Sequence, residues 1–153
     1  MNAKHANATI QTYQHVKLVG KFLFIFIKDL LDRAANHDNT KFESPEVEIF
    51  GENTELLAKC EYGSPEYQVC LDKVRPAINH HYSKNRHHPE FHKNGVDDMT
   101  LPDLIEMLSD WKAATERNKD GNIRKSIDIN AKRYNLSPQL KSILENTVQE
   151  YFD

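Results

Sequence analysis

Between Ile10 and Ala35 the apolar residues Val16, Leu18, Val19, Phe22, Leu23, Phe26, Ile27, Leu30 and Leu31 recur at intervals of three and four. That is the period of an α-helix and not the two-residue alternation of a strand, and it predicts one long helix with a wide buried face. Lys17, Lys21 and Lys28 interrupt the apolar run, which is also shorter than the roughly 20 residues of a membrane span. The segment therefore reads as a buried helix and not as a membrane anchor.

A helix of this kind needs others to cover it, and the rest of the chain supplies them. Ser44-Pro45-Glu46 reads as a cap followed by Pro at the first helical position, opening a helix toward Phe50. Gly51 to Asn53 break the pattern, and Glu55 to Cys60 form a further short helix before a Tyr62-Gly63-Ser64-Pro65 turn. Ser64-Pro65-Glu66 repeats the cap signature and starts a helix over Glu66 to His81, with Val69, Cys70, Val74 and Ile78 at core spacing and Pro76 as a kink or boundary. Asn85 to Asp98 is polar and reads as an ordered loop. Thr100-Leu101-Pro102-Asp103 opens a helix over Leu104 to Arg117, and Ile123 to Tyr134 and Ser137 to Tyr151 close the chain as two more. No alternating strand is found, so the predicted class is all-α. With 153 residues, one domain spanning 1–153 and built as a compact helical bundle is expected.

Hydrophobic residues make up 39% and charged residues 28%, a globular balance. The net charge of -3 provides no broad basic field for a nucleic-acid backbone or an anionic membrane, so a small ligand is expected in place of a polymer. Cys60 and Cys70 lack the close pairing of zinc knuckles and read as reduced thiols. The polar N-terminus carries no secretory core, and a cytoplasmic location is expected.

Five of the eight histidines, His80, His81, His87, His88 and His92, fall within thirteen residues. Imidazole is the commonest protein ligand for divalent transition metals, and a turn between His81 and His88 brings several rings toward one point. The alternative is a solvated polar loop. The adjacent pair His37-Asp38 strengthens the metal reading, because a neutral nitrogen and a carboxylate can hold one ion or bridge two. Around that pair stand His15 one long helix earlier, Lys41 three residues later and Asp110 on a later amphipathic helix. Trp111 reads as core, and His5 and His92 as exposed. Arg33 and Arg117 suit either a ligand phosphate or an ion pair.

The ordered pattern of His15, His37-Asp38 and Asp110 resembles the HD-domain superfamily of metal-dependent phosphohydrolases, and Lys41 falls where several branches read HDxxK. More narrowly, HDNTKF, HHYSKNRHHPEF and EMLSDWKAATER look like a small family, frequent in bacteriophages, of unassigned function; the likeness covers Gln14 to Arg117. The resemblance implies a helical bundle holding one or two divalent transition-metal ions (Mn, Fe, Co, Ni or Zn) through His15, His37, Asp38 and Asp110. Two-metal branches add two further histidines, here one from His80 or His81 and one from His87 or His88. The pattern around Tyr82, Asn85, Pro89 and Glu90 selects His81 and His88. The nucleotidase branch carries a catalytic Glu shortly after its HD pair; the nearby acids here are Glu43 and Glu46.

The implied activity is hydrolysis of a phosphate ester in a nucleotide or similar small metabolite. Asp38 and Lys41 are the expected catalytic residues, and Arg33, Asn85 and Arg117 the expected substrate contacts. A host-cytoplasmic setting follows if the chain is phage-encoded. Two other readings remain open: a di-iron oxygenase on the same scaffold, as in myo-inositol oxygenase, whose pattern also includes HDxxK, and a non-catalytic protein that binds a nucleotide or uses a metal to hold its loop.

Overall fold

The computed structural model describes residues 3–60, 64–117 and 119–152. The fold is all-α, with six helices among the described residues: α1 (Ala3–Asn36), α2 (Glu46–Lys59), α3 (Pro65–Lys84), α4 (Leu101–Glu116), α5 (Ile123–Arg133) and α6 (Pro138–Tyr151). Three short 3-10 turns, Asn39–Phe42, Pro89–Phe91 and Gly95–Asp98, lie in the connections, and no strand occurs among the described residues. No helix among them is long and apolar enough to cross a membrane. The chain divides into two compact units, one ending at His37 and one running from Asp38 to Asp153.

The first unit is α1. Its apolar residues do not form the expected buried face: Leu30 is half-buried, while Val16, Leu18, Val19, Phe22, Leu23, Phe26, Ile27 and Leu31 are exposed. The physical reason is that a single helix offers no second surface within its own unit to bury against. Arg33 donates through Nε to Asp29 Oδ2 at 2.8 Å, one turn earlier on the same helix.

In the second unit the capping chemistry sets the helix starts. Ser64 Oγ accepts from the Tyr67 amide, with Pro65 at the first helical position. Thr100 and Asp103 form a reciprocal capping box at the start of α4, and Ser137 Oγ caps α6. Two helices run through expected interruptions. α2 is continuous across Gly51, and α3 continues through Pro76 to Lys84, longer than the Glu66–His81 span. In both cases packing of α2 against α3 outweighs the local penalty of the breaker residue. Of the expected turn before α3, Tyr62 and Gly63 lie outside the described residues.

A core of Met107, Leu108 and Trp111 from α4, Ile123 and Ile127 from α5, and Leu144 and Val148 from α6 holds the last three helices together. The Trp111 ring lies parallel to that of Tyr134, with centroids 6.3 Å apart. The turn into α5 requires glycine at 121, where a Cβ would lie 1.9 Å from the Thr115 carbonyl oxygen. The loop before α4 is fastened from inside: Arg86 makes a two-pronged contact with Asp103, at 3.2 and 3.0 Å, and Asp103 is fully buried. His92 belongs to this fastening. Its side chain is 5% exposed and its Nε2 donates to the Arg86 carbonyl, so the expectation of an exposed His92 is corrected; His5 is exposed.

Candidate metal centre

Asp38 opens the second unit in the left-handed conformation (φ 57, ψ 18), which a short polar side chain tolerates better than most. The 3-10 turn that follows closes with the Lys41 amide on the Asp38 carbonyl at 2.9 Å, and it turns Lys41 back so that its ammonium reaches Asp38 Oδ2 at 2.6 Å. The other carboxylate oxygen, Oδ1, lies 3.1 Å from His81 Nε2 and 3.4 Å from His87 Nε2.

His81 is in the last turn of α3. Asn85 caps that helix, and the loop then folds tightly, the His88 amide on the Asn85 carbonyl and the Phe91 amide on the His88 carbonyl. This places the rings of His81, His87 and His88 against one another, with centroids 4.1 to 6.0 Å apart. One donor atom each from Asp38, His81, His87 and His88 lies within 4.8 Å of the others. That is a cluster of three imidazoles and one carboxylate, a donor set suited to Zn, Co, Ni, Mn or Fe.

The surrounding carboxylates orient these rings. Glu46, the first residue of α2, is fully buried. It accepts from His81 Nδ1 at 2.9 Å, His80 Nδ1 at 2.7 Å and Thr40 Oγ1 at 3.1 Å. Asn85 donates in turn to Thr40 Oγ1 at 2.9 Å and to the His81 carbonyl at 2.8 Å. Burial raises the Glu46 carboxyl, but the bonds from His80, Thr40 and His81 together outweigh it and hold the group below its usual range, hence ionised. An ionised Glu46 can only accept, so His81 Nδ1 carries a hydrogen, and in the neutral ring Nε2 is the nitrogen left to coordinate. His87 repeats the arrangement, its Nδ1 lying 3.3 Å from Glu106 Oε1.

Among the described residues, His81 Nε2 and His88 Nε2 are buried with no hydrogen-bond partner, although a buried acceptor without a partner costs about 1–3 kcal/mol. His88 is held neutral: burial first, then the rings of His87 and His81, push it down to about 3, against the weaker opposing pull of Asp110 and Asp38. Ring nitrogens facing inward around a carboxylate, in their neutral form, are the donors a divalent cation takes.

Of the residues singled out by sequence, the structure brings Asp38, Lys41, His81 and His88 together, with Asp110 close enough to act on the His88 ring. His15 is exposed on α1, and His37 ends that unit and is bonded in the chain to Asp38. Arg33 is engaged with Asp29. Asn85, expected at a substrate, spends its amide hydrogens on Thr40 and the His81 carbonyl. Arg117 is exposed at the end of α4, about 10 Å along the helix from Asp110.

The sequence leaves Glu106 and Thr40 unmarked, notes Glu46 only as an acid near the HD pair and offers His87 only as the alternative to His88, whereas the structure brings both His87 and His88 to the cluster. Glu106 is one turn before Asp110 on α4, a spacing visible in the sequence; Glu46 carries no such mark, because its histidine partners are more than thirty residues away. No curated protein and no solved structure matches the chain. The family of unknown function DUF5662 matches residues 4–150, and the chain belongs to that family.

Proposed function

We propose that this chain is an HD-type metal-dependent phosphohydrolase acting on a nucleotide or a similar small phosphate ester. The observation that carries the reading is the convergence of Asp38, His81, His87 and His88, with the His81 and His88 Nε2 atoms buried and lacking hydrogen-bond partners. A divalent ion held there would supply Lewis acidity, lowering the pKa of a bound water toward neutrality and polarising a phosphoryl oxygen. The chain's own residues do the rest. Glu46 and Glu106 fix the tautomers of His81 and His87. Lys41 is exposed with its ammonium beside Asp38, so it offers positive charge to a phosphate at the edge of the cluster. Arg117 would approach a spectator oxygen from the far end of α4. Asp110, close to the His88 ring, enters as the further ligand that the HD resemblance implies; His15 stands about 30 Å of helix before the end of α1, too far from the adjacent His37-Asp38 pair to share an ion with it, which corrects that expectation.

The test is metal analysis of protein purified without a histidine tag, followed by a phosphatase screen over nucleotides with Mn, Co, Ni or Zn added back. Metal-dependent phosphate release that disappears in Asp38→Ala supports the proposal. Full turnover by a metal-free Asp38→Ala protein rejects it.

The four-donor cluster also favours a second reading, a closed structural site that holds the His87-His88 loop without catalysis, since four protein ligands fill a tetrahedral ion. Tight metal retention with no turnover on any phosphate ester would select it.

A further inference from the structure

α2 and α3 form an antiparallel pair joined chemically at both ends. At one end Glu46 accepts from His80 and His81, which links the start of α2 to the end of α3. At the other end Cys60, immediately after α2, faces Cys70 near the start of α3, with their sulfurs 3.4 Å apart. The separation from Glu46 to Cys60 spans about 20 Å of helix. Cys60 and Cys70 are the only cysteines in the chain, so neither has an intramolecular competitor. Both are free thiols and half-buried, within reach of a small reagent. A disulfide bond is about 2.0 Å long, so closure requires the two sulfurs, now 3.4 Å apart, to approach by roughly 1.4 Å. The reduced pair is weakly held, by the contact between the two sulfurs and one from Cys60 Sγ to the Leu56 carbonyl at 3.2 Å.

We propose that Cys60 and Cys70 are a redox modification site that closes to an intramolecular disulfide by exchange with a low-molecular-weight disulfide such as oxidised glutathione. In the first step the thiolate of one cysteine attacks a glutathione sulfur, and one glutathione thiolate leaves. In the second step the other cysteine attacks the protein-bound sulfur of the mixed disulfide and expels the second glutathione. The two cysteines lose two protons and two electrons in all, and the oxidised glutathione gains them as two thiols. The new bond ties the end of α2 to the start of α3, and so clamps the hairpin whose opposite end carries Glu46 and His81. This inference does not depend on the metal reading.

The full chain, reduced and then equilibrated with oxidised glutathione, is followed by intact mass, thiol titration and thermal unfolding. The expected product is a monomer about 2 Da lighter, with no reactive thiol and a Tm raised by roughly 5 °C or more. Cys60→Ser and Cys70→Ser each retain one reactive thiol or one glutathione adduct, with no rise in Tm. Wild-type protein that ends as glutathione adducts, as a disulfide-linked dimer, or as unreacted thiols in excess oxidised glutathione overturns the proposal. The wild-type measurement decides the matter even if a serine variant folds poorly.

Discussion

His81 Nε2 and Asp38 Oδ1 face each other at 3.1 Å while the opposite ring nitrogen of His81 is committed to Glu46. In the neutral ring with its hydrogen on Nδ1, Nε2 and Oδ1 are two acceptors facing one gap, an arrangement that suits a cation between them. Metal affinity should therefore rest on both residues. His81→Ala and Asp38→Ala are each expected to lower affinity for Co or Zn by at least about 100-fold, read by competition against a chromophoric chelator. Unchanged affinity in either variant would remove this cluster as the binding site.

Glu46 bonds to His81 Nδ1, so its effect on metal affinity is expected to run through that ring. Glu46→Gln preserves shape but can offer His81 an amide hydrogen, which permits the wrong tautomer. A loss of metal affinity of about 10- to 100-fold is expected, with a smaller effect on folding. Glu46→Ala should in addition cost about 1–3 kcal/mol in urea unfolding, because His80, His81 and Thr40 lose a buried acceptor. Equal metal affinity in wild type and Glu46→Gln would refute the orienting role.

The metal-free chain should be sensitive to mild acid. Burial and the neighbouring His87 and His81 hold His88 at about 3, against an ordinary histidine value near 6.5. The unfolded chain thus takes up a proton near pH 6.5 that the folded chain refuses until about pH 3. This group's contribution to stability is intact above about pH 6.5 and is lost progressively as pH falls from there toward 3. Urea midpoints of chelator-treated protein should fall across that window, and His88→Asn should flatten the slope. An unchanged slope in the variant would count against this assignment.

Lys41 separates catalysis from binding. It is exposed and paired with Asp38, so Lys41→Ala should leave metal content unchanged. If the centre hydrolyses phosphate esters, turnover should fall by about 100-fold or more, as expected for loss of a charge-stabilising group. Retained turnover in a fully metallated Lys41→Ala protein would exclude that role.

Ile127 is completely buried in the core of α4, α5 and α6. Ile127→Ala should cost about 2–5 kcal/mol of stability while leaving metal stoichiometry intact. Loss of metal without loss of stability would show that this core and the cluster are coupled in a way the packing does not indicate.

The helices were legible in the chain because their signals are local. Ser64-Pro65, Thr100 to Asp103 and Ser137-Pro138 act on the backbone amides of their own first turn, so they mark the starts of α3 and α6 to within a residue and that of α4 to within three. The clustering of histidines and the His37-Asp38 pair pointed to metal chemistry for a similar reason, since ligand type can be read without knowing geometry. Local signals failed where packing overrode them, at Gly51 and Pro76, and where a periodic apolar face has no cover within its own unit, as in α1.

Only the tertiary structure decided which side chains share the centre. Glu46 looks in sequence like any first-turn acid, and the doublets His80-His81 and His87-His88 look symmetrical. Their roles come from the approach of the start of α2 to the end of α3, which gives His81 an orienting carboxylate and turns His80 to that same carboxylate. Residue type and spacing fix the capacity for coordination; the position of four donor atoms within 4.8 Å depends on contacts between residues as many as fifty positions apart, which no local pattern encodes.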